Sequence, residues 1–251
     1  ERRLTEQELR KTQADLIQAG KLAGLGQMSA ALSHEFNQPL AAAKTYADSA
    51  ALLIDRGRAP EAQDNVRRIS ALVDRMASIS RHLRNFARKP NEKLGPVSLP
   101  EAIADTMEIV TPRLKAADAK LAIVLDEEMF VVRAGPVRLQ QVLVNIISNA
   151  ADAVEGLNDR RIGLAAYRQN DHVVIEVRDH GPGVAPAIAD RIFDPFFTTK
   201  GVGKGLGLGL SISYNIIKDF GGSLSVANHP DGGAIFRIVL DVAAYSQEAA
   251  E

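Results

Sequence analysis

Cysteine and tryptophan are both absent from the 251 residues. Without cysteine there is no disulfide framework, no thiolate-held zinc or iron–sulfur cluster and no thiol nucleophile. Aromatic residues make up 5% of the chain, too few for the stacking platforms with which proteins hold bases or sugars. Charge of one sign is not in surplus either. Lys+Arg 30 against Asp+Glu 31 gives a formal net charge of -1, which argues against binding nucleic acid through bulk charge. No apolar run approaches the ~18 residues that read as a membrane span, and no signal peptide is visible. What is present is a hydrophobic fraction of 46% and a charged fraction of 24%. Such a chain can bury a core, as one large domain or two small ones. It opens at Glu1 inside a charged helical pattern rather than at Met, and is expected to be an excerpt whose upstream part is missing.

Residues 1 to about 55 contain no proline except Pro39 and read as one long helix. Leu22, Leu25, Met28, Leu32, Phe36, Leu40, Ala43, Ala47, Ala50 and Ile54 fall on one face about 120° wide. Asp55-Arg56-Gly57-Arg58-Ala59-Pro60 supplies the stop. A second helix is expected from about Glu61 to Arg88. Ile69, Leu72, Met76, Ile79, Leu83 and Phe86 alternate spacings of three and four, a heptad seam. Two amphipathic helices joined by a short turn make an antiparallel hairpin. One hairpin is too shallow to bury both stripes, so two are expected to form a dimeric four-helix bundle.

Lys89 to Pro96 reads as a linker by composition. Helices are then expected at Leu99–Leu114, Val137–Val154 and Leu208–Phe220. Strands are expected at Lys120–Leu125, Phe130–Arg133, Ile162–Ala166, Val173–Val177, Leu224–Ala227 and Ile235–Val242. The short Arg168–His172 connection suits a hairpin. The fold class is therefore α+β: a helical hairpin followed by an α/β sandwich with a mixed sheet covered by helices on one face.

Four stretches carry chemistry. Asn145 and Asn149 stack one turn apart on one helix, where amide oxygens, phosphates and water could complete a Mg²⁺ shell. Two buried amides capping backbone is the plainer reading. Asp179-His180-Gly181-Pro182-Gly183 ends an apolar strand with a carboxylate able to accept from an adenine amino group, or simply makes an Asp-Gly turn. Gly201, Gly203, Gly205, Gly207 and Gly209 alternate with other residues just before a helix, where exposed N–H groups suit phosphate. Between them, Phe193, Phe196 and Phe197 suggest a hinged flap whose aromatic hooks dock with ligand, or a hydrophobic plug.

In this order and at these separations, the four stretches resemble the nucleotide-binding domain shared by histidine kinases, gyrase-type topoisomerases, ninety-kilodalton heat-shock chaperones and mismatch-repair ATPases. The resemblance covers essentially all of residues 97–242. It implies ATP and Mg²⁺, with Asn149 as the metal ligand, Asn145 its companion near the phosphates, and Asp179 as the adenine reader. Gly181, Gly183, Gly205, Gly207 and Gly209 would line the nucleotide. Asp152 stands where many relatives place a basic residue, so Lys200 or Lys204 is the expected source of positive charge.

Ser33-His34-Glu35-Phe36-Asn37-Gln38-Pro39-Leu40 resembles the phosphoacceptor box of sensor histidine kinases. The helical wheel independently turns His34 away from the apolar face. The resemblance implies autophosphorylation of His34 with Glu35 as proton acceptor, then transfer to a response regulator. Gln38 stands at a position linked in relatives to dephosphorylating the receiver. The receiver is expected to dock near His34, Ala41, Thr45 and Leu52. Gln18 to Ser29 and His34 to Leu40 look most like the C4-dicarboxylate transport sensor kinases, although oxygen-sensing kinases of the nitrogen-fixation type share Asn-Gln-Pro-Leu. The narrower likeness implies the cytoplasmic portion of a bacterial inner-membrane protein, tied to the membrane through its missing upstream segment. The expected organisation is a signalling helix at 1–20, a dimerisation and phosphotransfer hairpin at 21–90, a linker at 91–97, an ATP-binding domain at 98–243 and a tail at 244–251. The competing readings are an ATP-hydrolysing clamp and an ATP-gated scaffold without kinase activity.

Overall fold

The computed structural model describes residues 29–87, 94–126, 130–200 and 207–243. Within the first two helices the side chains of residues 29–32, 34, 35, 75, 78 and 81–87 lie outside the description. So do the expected helix over 1–28, the end of the second seam and the 244–251 tail. The chain divides into two compact units: the first holds residues up to Lys89 together with Lys200–Leu206, the second holds the rest.

The first unit is an antiparallel pair, α1 (Ser29–Asp55) and α2 (Ala59–Ala87). Gly57, with φ 71°, turns the chain between them. Ala50 and Ala62 are buried near the turn, and Ile79 farther along α2; small residues let the two backbones approach closely. The Asn65 Nδ2 donates to Ser49 Oγ across the seam at 3.0 Å, and the Arg68 guanidinium lies over the Tyr46 ring at 5.6 Å. One hairpin does not bury its whole apolar pattern. Leu40 is 58% and Ile54 62% exposed, and Val66 and Val73 are also bare. Pro39 lies inside α1. It has no N–H for the Glu35 carbonyl, the cost a helix bears for an interior proline.

The second unit begins with β1 (Gly95–Ser98), antiparallel to β3 (Val131–Ala134). This strand begins inside the stretch expected to be linker and runs past its end. Gly95 and Pro96 read as breakers, but a two-stranded ribbon tolerates proline where its missing N–H is not needed. Next come α3 (Leu99–Ala116), β2 (Lys120–Leu125), α4 (Pro136–Val154), β4 (Arg161–Gln169), β5 (His172–Asp179), α5 (Gly209–Asp219), β6 (Ser223–Asn228) and β7 (Ala234–Asp241). A short 3-10 turn at Pro186–Ile188 was not signalled by the pattern. Both α3 and α4 carry proline in the first turn, where no N–H is required.

The main sheet runs β2-β4-β5-β7-β6. Only β2 and β4 are parallel; the remaining pairs are antiparallel. Period-two alternation aligns side chains across it. Leu164, Val177, Phe236 and Val226 share one row, and Ala166, Ile175, Ile238 and Leu224 another. These rows face the helices. The eight buried residues of α4, among them Leu139, Leu143, Ile146 and Ile147, form the matching layer. The other sheet face is polar where Arg237 Nε donates to Glu176 Oε1 at 2.7 Å and the Tyr167 hydroxyl donates to the same oxygen at 3.2 Å. Among the described residues no helix is long and apolar enough to cross a membrane.

Leu143 is fully buried at the centre of this layer. Leu143→Ala is expected to destabilise the second unit by roughly 2–5 kcal/mol, read as a lower urea midpoint in far-ultraviolet circular dichroism.

Candidate functional site

One face of α4 must bury Leu139, Val142, Leu143, Ile146, Ile147, Ala150, Ala151 and Val154. Asn145 and Asn149 fall beside that stripe, both half-buried and one turn apart. The Asn145 Nδ2 donates to the Ser213 hydroxyl of α5 at 2.9 Å. Gly209, the first residue of α5, packs directly on the Asn145 carboxamide; a Cβ there would overlap Asn145 Oδ1. The second glycine box and the asparagine pair therefore meet where α5 begins.

Asp179 ends β5 on the helix-covered face, paired in register with Ile162. It is 3% exposed. A carboxylate in such a place needs hydrogen bonds. The Gly181 and Ala234 backbone N–H groups both donate to Oδ1, at 2.8 and 3.1 Å. Neither bond uses Oδ2. Gly233 makes this approach possible: its φ is +86°, and a Cβ would overlap the Asp179 carbonyl oxygen. Gly181 faces the Ala153 carbonyl, 2.8 Å from where a Cβ would stand. Asn228, at the end of β6, grips the loop beyond Gly183 from both sides. Its Oδ1 accepts from Val184 N at 2.8 Å and its Nδ2 donates to Val184 O at 2.7 Å.

The phenylalanine stretch is partly anchored by the fold itself. Ile192 is buried, Phe193 packs on Tyr214 of α5 with ring centroids 5.2 Å apart, and the Arg191 guanidinium covers Phe197 at 4.8 Å. Phe196 N–H donates to Gly207 O at 3.0 Å, tying the two ends of the 197–206 segment together. The expectation of a hinged flap is thereby narrowed, because Ile192, Phe193 and Phe197 are already packed. Lys200 is half-exposed, while Lys204 and Gly205 lie outside the described residues.

Asp152, the departure noted from the sequence, belongs to an ion-pair cluster. Arg113 of α3 donates through Nε to Asp152 Oδ1 at 2.8 Å and through Nη2 to Glu155 Oε2 at 2.6 Å. Both carboxylates hold the guanidinium above its ordinary pKa, Glu155 most strongly. The residue ties α3 to α4. In the other unit, His34, Glu35 and Gln38 lie along α1 just before Pro39, and the side chains of His34 and Glu35 are outside the description. Ala41, Thr45 and Leu52 are exposed on the same helix, with Thr45 Oγ1 donating to Ala41 O at 3.1 Å.

Among the described residues no three His, Cys, Asp or Glu side chains cluster to hold a metal. Two carboxamides nonetheless fit Mg²⁺, which takes one or two protein oxygens and keeps phosphates and water for the rest. Sequence reasoning missed Ser213, Asn228, Gly233 and Arg113. The one available signal was Ser213, a hydroxyl set among isoleucines on a buried helix face.

Residues 134–244 match the family model described as Histidine kinase-, DNA gyrase B-, and HSP90-like ATPase, and residues 25–92 match the His Kinase A (phospho-acceptor) domain. The chain is similar to the C4-dicarboxylate transport sensor protein DctB of Pseudomonas aeruginosa, 42% identical over 254 residues covering 99% of this chain and 42% of that protein. It is 34% identical to DctB of Rhizobium meliloti over 230 residues, covering 92% of this chain and 37% of that protein. The chain thus spans about two-fifths of the length of these curated relatives. In fold it resembles the histidine kinase ThkA solved in complex with the response regulator protein TrrA, with a TM-score of 0.76, 24% identity, and coverage of 94% of this chain and 67% of that one.

Gly232 and Gly233 both have positive φ, but only Gly233 has a neighbour where a Cβ would stand. Gly232→Ala is expected to cost about 1 kcal/mol of strain and Gly233→Ala roughly 2–3 kcal/mol more, measured as the separation of their thermal midpoints.

Proposed function

The chain belongs to the sensor histidine kinases of two-component systems, and from that membership we propose that it is the kinase portion of a membrane-anchored sensor, working in the cytoplasm as a homodimer. What carries the reading is that one chain holds both an acceptor-type helix with His34 and a nucleotide-type site around Asp179.

ATP binds the second unit. Asp179 receives the adenine amino group on Oδ2, since the fold's own donors occupy Oδ1. The loop through Gly181 and Gly183 lies along the base, with Gly207 and Gly209 toward the phosphates. Lys200 and Lys204 supply positive charge that α4 does not. Asn149, with Asn145, would hold Mg²⁺; when bound, it neutralises charge between the phosphates. A neutral ring nitrogen of His34 attacks the γ-phosphorus, and the bond to the bridging oxygen of ADP breaks. The other ring nitrogen loses its proton to Glu35. The phosphoryl group then passes to an aspartate of a response regulator docked near Ala41, Thr45 and Leu52. Gln38, one turn after His34, orients a water that attacks the receiver's aspartyl phosphate, releasing inorganic phosphate and restoring the carboxylate. The likeness to two C4-dicarboxylate transport sensors supports a C4-dicarboxylate signal. An ATP-hydrolysing clamp would need a general base on the asparagine helix. Asn145 stands there, and an amide donating to Ser213 takes no proton.

The test is His34→Gln incubated with labelled ATP. The parent gains an acid-labile, base-stable phosphate; the variant gains none, yet binds nucleotide within a few-fold of the parent. Loss of nucleotide binding in the variant would break the division of labour between the units.

The bare Leu40, Ile54, Val66 and Val73 support the dimer: a second hairpin would bury what one leaves exposed. Leu40→Arg is expected to weaken dimerisation by about 100-fold or more, because the symmetric contact feels the change twice. Light scattering across a dilution series reads this, and a parent that stays monomeric at high concentration would exclude the bundle.

A further inference from the structure

Ser213 is 1% exposed on α5, in a face otherwise made of Ile212, Ile216 and Ile217. A buried hydroxyl is costly without a partner. Its partner is the Asn145 carboxamide, which donates to it through Nδ2. A carboxamide has a donor end and an acceptor end; with the nitrogen bonded to Ser213, the oxygen lies on the other side of the group. Asn145 Oδ1 is thereby turned to the first residue of α5, where Gly209 leaves the room that any side chain would take. Among the described residues no hydrogen-bond donor reaches this oxygen. It is an acceptor, half-buried and unpaired, on the same side of α4 as Asn149 one turn later. A divalent cation requires an oxygen there and rejects an amino group.

We propose that Ser213 is a positioning residue for the metal–nucleotide complex: it holds Asn145 with its oxygen, rather than its nitrogen, available to the Mg²⁺ that accompanies ATP. The proposal rests on the reading of this unit as an ATP site. When the oxygen faces a cation the nitrogen needs an acceptor, and Ser213 is that acceptor; without the hydroxyl this orientation leaves a buried N–H unpaired and is no longer favoured. Gly209 is the second half of the device. A side chain there displaces the same carboxamide from the opposite direction.

The test measures binding, not phosphorylation. Affinity for a non-hydrolysable ATP analogue is followed by calorimetry in EDTA and across a Mg²⁺ titration, for the parent, Ser213→Ala, Ser213→Thr, Asn145→Ala and the Ser213→Ala/Asn145→Ala pair. The expected result for Ser213→Ala is a loss confined to the Mg²⁺ arm, with about ten times more Mg²⁺ needed for half of the enhancement. Ser213→Thr, which keeps the hydroxyl, restores the parent's Mg²⁺ response. In the Asn145→Ala background the serine substitution has no further effect, because the group it orients is gone. The proposal is overturned if Ser213→Ala keeps the parent's Mg²⁺ response. It is equally overturned if affinity falls alike in EDTA and in Mg²⁺, the mark of a merely structural serine, or if the effect persists without Asn145. Should Ser213→Ala fail to fold, Ser213→Cys, near in size but a weak acceptor, decides by the same Mg²⁺ dependence. A parent that binds no analogue in either condition overturns the ATP reading itself, an outcome distinct from the others.

Discussion

A carboxylate on the buried face of a sheet is the constraint around which the second unit is arranged. Asp179 occupies a position that in the neighbouring rows belongs to Val177 and Ile175. Burying an ionised group there without partners would cost several kcal/mol, so backbone donors must be brought to it. That requires the chain to fold back twice: once immediately, so that Gly181 N–H points at Oδ1, and once 55 residues later, so that Ala234 N–H does the same. The β6–β7 turn, the missing side chain of Gly233 and the two-handed grip of Asn228 on Val184 follow from that demand. The fold completes one carboxylate oxygen and leaves the other out of these bonds, which is how a buried charge becomes a selective hydrogen-bond acceptor.

The strands and helices were largely legible because their periodicity was strong. Alternation in Ile162–Ala166 and Val173–Val177, and the wide stripe of Leu139 to Val154, correspond to β4, β5 and α4. Strand β1 escaped because its evidence is tertiary. Gly95-Pro96-Val97-Ser98 has no alternation of its own and becomes a strand through pairing with β3. The same divide runs through the site. Asn145, Asn149 and Asp179 were visible as residues, since local spacing marks them. Their supports were not. Ser213 is 68 residues from Asn145, and Asn228 is 44 from Val184. Asp152 looked like an anomaly from sequence; its reason, Arg113, lies 39 residues upstream on another helix.

The two units solve different problems. The nucleotide unit is closed: its helices and sheet bury each other's apolar faces. The hairpin is open. Among the described residues its buried side chains are chiefly Ala50, Ala62 and Ile79, while large apolar side chains such as Leu40 and Ile54 stay exposed.

The Ser49–Asn65 pair in that seam bears on how the hairpin can move. Sliding α1 lengthwise against α2 would separate the hydroxyl from the amide and carry both past alanine and aliphatic neighbours, at about 1–3 kcal/mol. A bend at Pro39, about 15 Å away along the helix, leaves the pair untouched. It also acts where the backbone already lacks a hydrogen bond. The hairpin therefore resists lengthwise displacement and yields most readily by flexing at Pro39, which changes the angle of α1 beside His34 and leaves the register of the seam as it is.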